Sequence, residues 1–79
     1  MGLSSAIKIL RQKSLLTQEE FASKLEVALS TVNRWEKGKA RPNLSAMKNI
    51  KAFCEEYNLP YSDIESAWIE YPSKEDDQQ

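Results

Sequence analysis

Apolar residues recur along this chain with the 3.6-residue period of helices, and the gaps between the stripes carry residues that start and stop helices. Leu3, Ala6, Ile7 and Leu10 form one stripe, which predicts a helix over 3–13 with Ser4 or Ser5 able to cap it. Phe21, Ala22 and Leu25 form the next. Thr17, followed three residues later by Glu20, is a capping box: the hydroxyl accepts from one free backbone N–H and the carboxylate reaches back to another, so a second helix starts at Gln18. A third stripe, Ala28, Val32 and Trp35, predicts a helix at about 28–37, and Glu26 and Val27 leave room only for a tight turn before it. Gly38 suits a left-handed cap, and Lys39 to Asn43 reads as an extended basic loop broken by Pro42.

Further on, Ser45 opens a fourth helix to about Tyr57, with Ala46, Met47, Ile50, Phe53, Cys54 and Tyr57 on its apolar side and Asn58-Leu59-Pro60 as its break. Ser62 and Glu65 form a second capping box for a fifth helix bearing Ile64, Trp68 and Tyr71 on one stripe, which Pro72 stops. Residues 73–79 are polar, acidic and too poor in apolar groups to fold. With no strand-like alternation and no internal repeat, the expectation is an all-α fold. Five short helices surround one small core over residues 1–72, followed by a disordered acidic tail over 73–79.

The two helices and turn over 17–38 read as a helix-turn-helix, a unit whose usual work is reading the major groove of DNA. Taking Val32 as zero at about 100° per residue, Ala28 and Trp35 fall within about 60° of it and define the core side. Ser30, Asn33, Arg34 and Lys37 fall roughly 100° to 200° away. That outward face carries short polar groups and two cations with no acid, which suits a polyanion, whereas a merely solvated face normally mixes charge signs.

Net charge is −1, which taken alone argues against nucleic acid, but its distribution reverses the inference. Residues 1–51 hold ten Lys/Arg against four Glu, a net +6, and residues 52–79 hold one Lys against eight acids, a net −7. A basic working face and an acidic opposite side follow, or else a tail that only keeps the chain soluble. The 79 residues make one domain at most, too small for a large catalytic cleft. There is no histidine and Cys54 is the only thiol, which excludes Cys/His zinc sites, Ser-His-Asp or Cys-His nucleophilic systems and disulfide frameworks within the chain. No enzyme activity, cofactor or metal is therefore expected. The unpaired cysteine fits a reducing cytoplasm, and its helical spacing with Met47, Ile50 and Tyr57 reads as a buried small hydrophobe rather than a redox sensor. No apolar run reaches ten residues, so no membrane span or secretory signal is read.

The pattern resembles the Cro-type, or XRE-family, helix-turn-helix domain of phage repressors and small bacterial regulators. The resemblance covers roughly residues 6 to 59 and rests on Arg11, Thr17-Gln18-Glu19-Glu20, Ala22, Leu25, Val27, Ser30-Thr31-Val32, Arg34-Trp35-Glu36, Gly38-Lys39 and Pro42, all in register. It implies a compact, lambda-repressor-like fold in which the helix beginning near Ala28 enters the major groove. Leu29, Ser30, Thr31, Asn33 and Arg34 are then candidates for base-edge contacts, and Leu29 suits a thymine methyl. Gln18, at the start of the helix that crosses the backbone, would grip a phosphate, with Lys37, Lys39, Arg41 and Asn43 flanking it. The resemblance also implies a structural ion pair between Arg11 and Glu36. Two positions depart from it. Glu26 stands where the turn usually has Gly and must accept a positive φ or shift the turn, and Ala28 stands where a Ser or Thr usually caps the recognition helix.

The leading expectation is a sequence-specific transcriptional regulator, in the manner of a stand-alone repressor. It would bind double-stranded DNA as a homodimer, because one recognition helix reads too few base pairs for useful discrimination. Ile64, Trp68 and Tyr71 offer either a two-fold dimer surface or the completion of the monomer core. Two alternatives stand beside it: an antitoxin that uses the same domain on DNA and covers a toxin protein with its acidic end, and a protein-interaction module that keeps the fold without binding DNA.

Overall fold

A computed structural model of the chain describes the backbone of residues 2–77 and the side chains of residues 2–71. The Thr17 capping box forms as the spacing predicts, with Glu20 N–H donating to Thr17 Oγ1 at 3.1 Å and Thr17 N–H donating to Glu20 Oε1 at 2.9 Å. It starts α2 (Gln18–Leu25), which follows α1 (Leu3–Lys13) and precedes α3 (Leu29–Glu36), α4 (Leu44–Tyr57) and α5 (Ser62–Asp77). Among the described residues the fold is all-α, and it is the five-helix, lambda-repressor-like arrangement.

Helix α3 packs on both α1 and α2, α5 packs on α1, and α4 packs on α2. The stripes meet at Ile7, Phe21, Val32 and Ile50, all with no exposed surface, and at Leu25. Burying each such side chain contributes about 1.5–3 kcal/mol. Phe21 meets the Phe53 ring edge-on at 5.2 Å, and Phe53 stacks on Tyr57 at 4.3 Å, which fixes α4 against α2.

Four helix ends close in the same way. Leu15, Glu26, Gly38 and Asn58 take φ values of 62°, 61°, 75° and 59°. The next residue in each case donates back across five positions: Leu16 to the Arg11 carbonyl, Val27 to Ala22, Lys39 to Arg34 and Leu59 to Cys54. After three of these turns the donor is itself apolar and packs on the core, at Leu16, Val27 and Leu59, as left-handed helix caps favour. Glu26 thus accepts the positive φ that its position demanded and leaves the turn unshifted. Leu15 gains nothing from its own conformation, since its side chain is 90% exposed. Leu15→Gly is expected to raise stability by up to about 1 kcal/mol, relieving a left-handed strain of roughly 1–2 kcal/mol against a smaller entropic loss. A denaturant midpoint at or below that of the parent protein would contradict this.

Several sequence expectations change. Ala28 is exposed and sits one residue before α3 as an N-cap without a side-chain bond, because the left-handed Glu26 ends α2 so abruptly that the chain is still extended there. Gly2, rather than Ser4 or Ser5, precedes α1, and α4 begins at Leu44 with the Asn43 side chain accepting from Ala46 N–H at 2.8 Å. The Ser62 box gives way to an earlier start, with Glu65 N–H bonded to the Tyr61 carbonyl at 3.0 Å. Pro72 does not stop α5. A proline costs a helix the bond to the carbonyl four residues back, here that of Trp68, and Arg41 Nη1 supplies that carbonyl with a donor at 3.0 Å. The expectation of an unfolded acidic tail over 73–79 meets a backbone that continues α5 to Asp77, while the side chains from 72 on and residues 78–79 lie outside the described residues. Ile64 is 2% exposed, and Trp68 and Tyr71 are half-buried against the same molecule, so this stripe completes the monomer.

Cys54 is 1% exposed, and burial, with a smaller contribution from the nearby Glu55 charge, pushes its thiol up to about 11 from an ordinary 9. The folded state favours the neutral thiol, so this contribution is intact below pH 9 and is lost as pH rises toward 11. Comparing the protein with Cys54→Ala by denaturant titration, we expect the parent to lose on the order of 2–3 kcal/mol more than the variant across that window. Parallel pH profiles would show that the thiol ionises freely in the folded state.

Candidate nucleic-acid interface

The outward face of α3 is the candidate site. Val32 and Trp35 point into the core, which leaves Ser30, Arg34 and Lys37 exposed and Thr31 and Asn33 half-buried at the edges. Leu29 is 47% exposed at the start of the helix. Glu36, the only acid on α3, is turned away from this face, with its side chain 4% exposed.

Glu36 is the hub of a hydrogen-bonded relay across three helices. Arg11 of α1 forks onto it, Nε to Oε2 at 2.8 Å and Nη2 to Oε1 at 3.1 Å, and its Nη1 donates to the Leu16 carbonyl at 3.0 Å. Gln18 Nε2 of α2 donates to Glu36 Oε1 at 3.0 Å, and Gln18 Oε1 accepts from Asn33 Nδ2 at 3.3 Å. The Glu36 hydrogen bond raises the Arg11 pKa above its usual value, burial opposes this, and the Glu36 charge adds to the rise. The Arg11 guanidinium therefore stays charged across the whole working pH range. The relay ties the first residue of α2 to the reading face of α3 and so sets where Asn33 can present its amide.

Each residue read from the sequence can now be placed. Arg11 and Glu36 form their pair. Gln18 is half-buried and spends its carbonyl and one amide hydrogen inside the relay, keeping one hydrogen for a ligand. Glu19 and Glu20 share the first turn of α2 with it, which works against an incoming phosphate. Lys37 and Lys39 are exposed. Arg41 is exposed but stacked, its guanidinium 4.5 Å from the centre of the Trp68 ring, and the Asn43 carbonyl oxygen is committed to the α4 cap.

Between α3 and the loop over 39–43 lies an open groove of about 490 Å³. Its lining combines the polar Ser30, Thr31, Arg34, Arg41 and Asn43 with the small side chains of Ala28, Ala40 and Ala46. Sequence reasoning missed two residues bearing on this loop. Trp68 Nε1 donates to the Pro42 carbonyl at 2.6 Å, and Tyr71 Oη donates to the Gly38 carbonyl at 3.3 Å. The available signal was that a half-buried Trp or Tyr needs a partner for its polar end.

The fold and this acid-free face together define a helix-turn-helix domain. The family model described as helix-turn-helix matches residues 7–64, and the chain belongs to that family, the XRE-type domain that the sequence resembles. It is also similar to the HTH-type transcriptional activator BcrR of Enterococcus faecalis, 36% identical over 53 residues, which cover 67% of this chain and 26% of that protein. The chain thus spans about a quarter of that relative's length. No solved structure matches it. No helix among the described residues is long and apolar enough to cross a membrane.

Proposed function

We propose that this protein is a sequence-specific DNA-binding transcriptional regulator that lays α3 in the major groove. The observation that carries the reading is the exposed face bearing Ser30, Arg34 and Lys37, from which the only acid of the helix is withdrawn into the Arg11 pair. Leu29, Ser30, Thr31, Asn33 and Arg34 take base edges, while Gln18, Lys37, Lys39, Arg41 and Asn43 take the flanking phosphates. Binding is as a homodimer, since a face this short reads only a few base pairs and two half-sites one helical turn apart, about 34 Å, multiply the discrimination.

Occupancy of a promoter by such a dimer represses by exclusion. The similar Enterococcus protein is named an activator, and a promoter fused to a reporter reads the sign directly. The acidic residues 73–79 support a second reading, an antitoxin whose C-terminal segment covers a basic toxin. Selection of bound duplexes from random DNA at a stated salt concentration tests the main reading. Enrichment of an inverted repeat with that spacing is expected, and no enrichment over scrambled duplex would overturn it.

A further inference from the structure

The loop that leaves the recognition helix carries Lys39 and Arg41, and Pro42 is the only fully buried residue within it. Its own packing holds it weakly, yet α5 brackets it at both ends. Tyr71 Oη bonds the Gly38 carbonyl at 3.3 Å and Trp68 Nε1 bonds the Pro42 carbonyl at 2.6 Å. Between these two anchors Arg41 lies over the Trp68 ring at 4.5 Å and donates Nη1 to the Trp68 carbonyl at 3.0 Å. That carbonyl is available because Pro72, four residues on, has no N–H to give it. One of the five guanidinium hydrogens is used, so four remain for a ligand.

We propose that Trp68 and Tyr71 are positioning residues for DNA binding, a clasp from α5 that sets the loop so that Lys39 and Arg41 meet the phosphate backbone already ordered. This rests on the DNA-reading function above. A loop fixed before binding loses less freedom on association, and a guanidinium held over an indole ring is restricted before its remaining donors meet a ligand. The clasp also makes α5, remote in sequence from the helix-turn-helix, part of its working surface.

The test removes the two donors while keeping an aromatic ring at each position, in the Trp68→Phe, Tyr71→Phe double variant. Ile64→Val, which loosens α5 without touching a clasp atom, serves as the structural control. Affinity for duplex DNA is measured across a salt series. We expect about tenfold weaker binding for the double variant, with the slope of log K against log salt reduced by about one for each bound protomer, and parent-like behaviour for Ile64→Val. Hydrogen exchange without DNA should show the Lys39 amide, bonded to the Arg34 carbonyl, opening faster in the double variant while the amides of α2 and α4 are unchanged. A salt slope equal to that of the parent would overturn the clasp, as would equal loss of slope in Ile64→Val. If the double variant fails to fold, Tyr71→Phe alone carries the same comparison. Failure of the parent protein to bind any duplex is a distinct outcome and overturns the DNA-reading function, and the clasp with it.

Discussion

Glu36→Ala is expected to lower the free energy of unfolding by about 3 kcal/mol, read from the denaturant midpoint at pH 7. The substitution strands the Arg11 guanidinium, whose side chain is only 15% exposed, and removes the acceptor of Gln18 Nε2. The figure lies at the lower end of the range for a fully buried pair because Arg11 keeps some contact with water. Replacing both partners by apolar residues of similar size, Arg11→Met with Glu36→Leu, should recover most of the loss, because no charge is then left unpaired. A loss below about 1 kcal/mol for Glu36→Ala would place this pair among ordinary surface bridges and sink its structural role. Gln18 and Asn33 lose their anchor in either variant, so recovered stability without recovered DNA discrimination is the outcome expected of the double substitution.

Arg34→Ala should cost about 1–3 kcal/mol of operator binding and relax preference at one position per half-site. Arg34 is exposed beside Ser30 and Lys37, and its planar fork can bond guanine O6 and N7 together, which the single ammonium of Lys does not reproduce. Lys39→Ala makes the contrast, since a phosphate contact carries no base information: it should weaken operator and scrambled duplex alike and lower the salt slope by about one. Binding of both variants to both duplexes across a salt series separates the roles. Equal losses on operator and scrambled DNA for Arg34→Ala would assign that guanidinium to the backbone.

The sequence carried what is local. Helical stripes placed α1 through α4 to within a residue or two, because the spacing of Ile7 and Leu10 or of Phe21 and Leu25 reflects only the pitch of a helix. Thr17 with Glu20 was legible for the same reason, since the box is settled within four residues, whereas the positive φ at Glu26 came from the family resemblance. The Arg11–Glu36 pair spans 25 positions and came from family resemblance, with nothing in the spacing to require it. The Gln18–Asn33 link and the clasp of Trp68 and Tyr71 on residues 38–42 were missed. They depend on where helices lie relative to one another, as does the survival of α5 past Pro72. Ala28 misled because its place on the apolar stripe assumes a helix that has not yet begun.

The division of labour along α3 bears on how this protein could be retargeted. Of its eight residues, Val32 and Trp35 hold the core and Glu36 holds the Arg11 relay, so those positions are bound to the survival of the fold. Ser30 and Arg34, and Lys37 just beyond, face solvent. On the proposed function, exchanges at Ser30 and Arg34 alter what is read while leaving what folds untouched, and a new operator preference can therefore be reached by single steps that never pass through an unfolded ancestor. Asn33 is the exception: any replacement there must also satisfy Gln18, which couples one letter of the reading code to the interior of the molecule.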